Sequence, residues 1–163
     1  MKRIKDLYKK IKSKKGFLAI EIVIGMFMFL LILSFLTDVS LLTWKFNAIS
    51  HANSSLARTV GIQGGLLSST PVNFPGGDEN YVTISEMDSR IKEIMDKAGV
   101  EEYSYTVTPN KADYGEYITT TITAKYKWSL LSNFIPGDVE HELVSKRTVM
   151  SEFKYRYDSF KGE

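Results

Sequence analysis

Twenty residues, from Phe17 to Leu36, contain no proline, one glycine (Gly25) and one charge (Glu21). Phe, Leu, Ile, Met and Val fill the rest apart from Ala19 and Ser34, so a helix through this run is apolar on every face and does not read as the half-buried helix of a small soluble domain. At about 1.5 Å per residue it reaches roughly 30 Å, the thickness of a bilayer's hydrocarbon core. The apolar region of a cleaved secretory signal is shorter, about 7–15 residues, and ends in small residues. Ser34-Phe35-Leu36-Thr37-Asp38 offers no such small-x-small site. A membrane-spanning segment is the expectation, with lipid as its surroundings. Glu21 is then the anomaly, because a carboxylate held at depth costs about 2–4 kcal/mol.

The charges around this segment set its direction. Residues 1–16 carry eight basic residues against Asp6 alone, a net of +7, whereas residues 17–163 carry thirteen against eighteen, a net of −5. Lys and Arg gather on the cytoplasmic side of a span, so the leader is expected inside and the C-terminal domain outside the cell membrane. The basicity belongs to the leader, and the remainder would repel a phosphate backbone; no nucleic acid is expected as a direct partner. There is no cysteine. Disulfides and thiolate metal sites are therefore excluded, and an outer domain must rest on packing alone.

Beyond Asp38 the hydrophobicity becomes one-sided. Leu42, Phe46, Ile49, Ala52, Leu56 and Val60 recur every three or four residues, while Lys45, Asn47, His51, Asn53, Ser54, Arg58 and Gln63 take the other positions. One continuous helix of about 45–50 residues within 17–67 follows, weakened at its end by Gly61, Gly64 and Gly65. Its stripe is expected to pack on the chain's own outer domain, 68–163. Residues 68–80 read as loop. Thr83-Ile84-Ser85-Glu86 has the form of a helix start and Gly99 of a stop, giving a short helix about 85–98. The period then changes to two. Strands are predicted at about 101–109, 116–129 and 142–157, the first two as a hairpin. Ile118 through Trp128 are assigned to one face of the second strand, and Val149, Phe153, Tyr155 and Tyr157 to one face of the third. The expected fold class is α+β: a long N-terminal helix on a small antiparallel sheet, with one short extra helix.

Chemistry-bearing patterns are sparse. His51 and His141 have no partners at metal-ligand spacing, so no metal and no cofactor is expected. No nucleophile elbow, phosphate loop or paired-carboxylate motif occurs, so catalysis is not expected either. Asn53-Ser54-Ser55 matches a glycosylation acceptor but falls on a predicted helix. Gly25 either lets a second helix approach closely or is tolerated without purpose.

Lys14-Lys15-Gly16-Phe17-x-x-x-Glu21, followed by an unbroken apolar helix, resembles the class III signal of type IV pilins and pseudopilins. The resemblance covers about residues 14–36. It implies that a prepilin peptidase cuts between Gly16 and Phe17, that Phe17 becomes the new and often N-methylated terminus, and that Glu21 is the assembly glutamate. The long helix joined to a small sheet domain is also that family's layout. Ala19, Ile20 and Ile22 around the glutamate depart from the usual major-pilin pattern. Ala19 and the later Ala57-Arg58-Thr59-Val60-Gly61-Ile62-Gln63-Gly64-Gly65 look more like pilin-like proteins of tight-adherence (Tad-type) systems, and no cysteine pair closes a C-terminal loop. These points favour a minor subunit. The function so implied is that of a pilin-like structural subunit of a type IV pilus-like filament or of a secretion or conjugation pseudopilus. Its implied partners are the prepilin peptidase, other pilin-like subunits, a platform protein and a motor ATPase. The competing expectation is an uncleaved, single-pass component of an envelope transport or conjugation complex, whose outer domain binds a partner.

Overall fold

The computed structural model describes residues 14–72, 74–130 and 140–155. The leader ahead of Lys14, the predicted loop 132–138 and Tyr157 lie outside the described residues. Helix α1, Lys14–Gln63, runs fifty residues without a break, as the change from all-round to one-sided hydrophobicity predicts. Its end is a Schellman turn: Gly64 takes the left-handed conformation at φ 70°, and the Gly65 N–H reaches back to the Val60 carbonyl at 3.0 Å. A side chain at Gly64 would be strained by that φ, and its Cβ would lie 2.8 Å from the Tyr155 ring.

Helix α2, Ile84–Ala98, is bounded as its sequence requires. Thr83 and Glu86 form a reciprocal capping box, and Gly99 closes the other end in the left-handed region. Three antiparallel strands follow: β1 (Tyr103–Thr108), β2 (Tyr117–Lys127) and β3 (Glu140–Met150), in the order β1-β2-β3. The fold is α+β, a long helix and a short one against a three-stranded sheet.

The chain divides into two compact units. One comprises α1 as far as Ser40 with the segment that starts at Trp128. The other runs from Leu41 to Lys127 and resumes with β3. In this second unit Ile49, Ala52, Leu56 and Val60 of α1 meet Met87, Ile91 and Met95 of α2 over Ile118, Ile122 and Ala124 of β2. The opposite face of the sheet carries a hydroxylic patch, with Lys146, Val144 and Met150 of β3 beside it. Ser104, Thr106 and Thr108 lie beside Thr123, Thr121 and Thr119, and Thr119 meets Thr148 of β3 with hydroxyl oxygens 3.1 Å apart.

Several expectations are corrected. The third strand ends at Met150 and not near 157, because Met150 pairs with Tyr117, the first residue of β2, and no ladder remains beyond it. Ser151 still bonds Glu116 and Gly115, just ahead of β2, and the chain then turns to α1, where Glu152 N–H donates to Gly61 O. Phe153 and Tyr155 consequently leave the strand face and join Phe74 in an aromatic cluster, with ring centroids 5.3 and 4.6 Å apart along Phe74–Phe153–Tyr155. The second strand stops at Lys127, so Trp128 falls outside its apolar face. On α1, Phe46 of the predicted stripe is exposed, whereas Asn53 and Gln63, assigned to the polar side, are buried.

Candidate assembly segment

Helix geometry places Glu21 one turn beyond Phe17 on α1. Both are exposed, as is almost every side chain from Phe17 to Thr37, with Leu31 and Ser34 half-covered. No hydrogen bond or ion pair reaches Glu21 among the described residues. Gly16, where the expected cut falls, lies on the first turn of the same helix. Structure and sequence thus put Gly16, Phe17 and Glu21 on one continuous helical element. A side chain added at Gly25 would touch nothing of this chain, so the position is open to another helix. This helix, near the N-terminus, is long and apolar enough for a single membrane crossing.

The far end of the apolar run handles its polar groups locally. Hydroxyls of Ser34, Thr37 and Ser40 donate to the carbonyls of Leu30, Leu33 and Leu36, each four residues back, at 2.8–2.9 Å. That arrangement suits apolar surroundings, where an unpaired hydroxyl is costly. Asp38 is fully buried. Its carboxylate accepts from the Ser129 and Leu130 backbone N–H groups at 3.1–3.2 Å, which ties the segment after β2 to α1. Sequence reading marked Asp38 only as the place where hydrophobicity changes. A lone acid directly after an apolar run was the available signal.

Two further residues of α1 do work that the sequence did not announce. Asn53 joins helix to sheet: its Nδ2 donates to the Ser145 carbonyl at 2.8 Å, and its Oδ1 accepts from Thr120 Oγ1 at 2.7 Å. With both amide atoms so engaged and fully buried, Asn53 is closed to a glycan. Lys45 donates to the Gly99 carbonyl at 2.8 Å, capping the C-terminal end of α2 where a cation is favoured.

On the sheet, Tyr105 donates to Asp88 of α2. Burial first, then that hydrogen bond and the Asp88 charge, push the phenol well above its ordinary pKa. Among the described residues, no group of three or more His, Asp or Glu side chains is arranged to hold a metal. Comparison with known families, characterised proteins and solved structures finds no match to this chain.

Proposed function

We propose that this chain is a pilin-like subunit, cut between Gly16 and Phe17 and assembled through Phe17–Leu36 into a filament or pseudopilus. The observation that carries this reading is Lys14-Lys15-Gly16-Phe17-x-x-x-Glu21 at the head of a helix whose side chains from Phe17 to Thr37 are almost all uncovered among the described residues. An uncovered apolar helix needs lipid or other helices. A carboxylate one turn into it needs a cation.

In a bundle of such helices the amine freed at Phe17 of one copy meets the Glu21 carboxylate of another. The pair need not add net stability, because desolvating both charges offsets their attraction. It fixes axial register, since a one-turn slip would leave a charge unpaired in apolar surroundings. The contact is head-to-tail and does not close, which lets a filament grow. Prepilin peptidase, platform protein and motor ATPase are the partners of that process, and the outer domain faces away from the cytoplasm.

Intact-mass analysis of the protein from its native host tests the reading. The expected chain begins at Phe17, with or without a methyl group; a chain retaining Met1 beside an active prepilin peptidase would overturn it. Glu21→Ala is expected to leave insertion and cleavage intact and to abolish incorporation into filaments.

A further inference from the structure

The segment that leaves β2 belongs with the apolar half of α1. Trp128, Ser129 and Leu130 lie in the compact unit that holds α1 as far as Ser40. The tie is Asp38, which is fully buried although it stands only two residues past Leu36. Its Oδ1 accepts from the Ser129 and Leu130 N–H groups at 3.2 and 3.1 Å, and its Oδ2 from Leu130 N–H at 3.1 Å. Apolar surface remains open on this segment: Trp128 is half-buried and Leu130 is 38% exposed.

Helix geometry gives the depth. Asp38 lies about 3 Å beyond Leu36 along the axis, and a helical side chain leans toward the N-terminal end, here toward the apolar run. The headgroup layer on each side of a bilayer is about 5–8 Å deep. With Phe17–Leu36 in the hydrocarbon, the Asp38 carboxylate and the two N–H groups on it fall within that layer. Tryptophan is favoured at this depth, where its ring meets apolar surroundings and its N–H is wet. Backbone brought against hydrocarbon needs internal partners, and Asp38 supplies the acceptor.

We infer that Trp128–Leu130 is a second membrane contact, seated in the headgroup layer beside α1, and that Asp38 is the tie that holds it at that depth. This rests on Phe17–Leu36 spanning a bilayer, and on neither the cut after Gly16 nor the filament. The occupant is lipid, because the patch is continuous with the apolar run and is tied to it at the bilayer boundary. A lone apolar helix is free to turn about its own axis. An indole and a leucine fixed on one side of it at the interface set its rotation and tilt. The contact therefore orients a span that the apolar run alone would only insert.

The chain has two tryptophans, so Trp44→Phe leaves Trp128 as the one indole. The full chain is reconstituted in phosphatidylcholine vesicles whose acyl chains are brominated either close to the headgroup or close to the chain end. Trp128 is expected to lose most of its emission to the shallow bromines and little to the deep ones. Unquenched emission from protein that resists alkaline extraction would overturn the inference and leave the span standing. Protein released by alkaline extraction would remove the span, and this contact with it. Stronger quenching by the deep bromines would move Trp128 into the core and overturn the depth. Asp38→Ala, added to Trp44→Phe, is expected to regain most of the lost emission while staying inserted. Asp38→Asn, which keeps an acceptor, is expected to remain quenched. Quenching unchanged in the Asp38→Ala protein would overturn the role given to Asp38.

Discussion

The two halves of α1 share one backbone geometry and have opposite surroundings. From Phe17 to Thr37 the side chains are almost all apolar, Glu21 apart, and open on almost every side; from Leu41 to Gln63 one face is sealed under Ile49, Leu56 and Val60 and the other mixes polar residues with exposed Trp44, Phe46 and Ile62. Helix propensity does not distinguish them. Their periodicity does: the first half has none to speak of and the second has a period near 3.6. A substitution should therefore act on the packed domain's stability in one half and on membrane partition in the other.

The largest effects separate the halves outright. Leu56→Ala removes fully buried volume between α2 and β2, and should cost the domain about 2–5 kcal/mol. Thermal melting of the full chain in detergent is expected to show the loss, with membrane insertion unchanged. Ile24→Arg should do the reverse. It places a guanidinium mid-span at a cost of about 2.5–3.5 kcal/mol, which shows as a reduced membrane-inserted fraction at an unaltered melting midpoint. Equal effects of both variants on melting would erase the distinction between the halves.

A smaller effect tests the polar joint within the packed half. Asn53→Ala leaves the Thr120 hydroxyl and the Ser145 carbonyl buried without this partner, and should cost about 1–3 kcal/mol. Thr120→Val added to Asn53→Leu should recover part of that, as both ends of one bond become apolar. The smallest effect is a pH dependence confined to the outer unit. The Tyr105 pKa is raised in the folded chain from 10.0, so its protonated form is favoured by folding. Its contribution is complete below about pH 10 and is lost as the pH rises above that value. Tyr105→Phe should flatten the alkaline limb of a stability–pH curve and lower the neutral region by about 0.5–1.5 kcal/mol, as the hydrogen bond to Asp88 is lost.

What the sequence disclosed depended on whether the signal was local. The capping box of Thr83 and Glu86, the stop at Gly99 and the alternation along β2 are each set by neighbouring residues, and all appear in the structure. The spacing of Gly16, Phe17 and Glu21 is likewise local, and the helix that carries all three is present. Asn53 was not legible, because its inward turn depends on Thr120 and Ser145, which are distant in sequence. The same holds for Lys45 at the end of α2 and for Asp38 at Ser129 and Leu130. The third strand was read too long because Phe153 and Tyr155 keep a period of two. Their partner strand had already run out at Tyr117, a limit written elsewhere in the chain.

The hydroxylic patch of the sheet bears on life in a crowd. Its threonine and Ser104 hydroxyls are polar, and Thr119 and Thr148 already pair with one another, so two such patches brought together would gain few new hydrogen bonds. Domains displayed at high density can therefore jostle sheet to sheet without sticking.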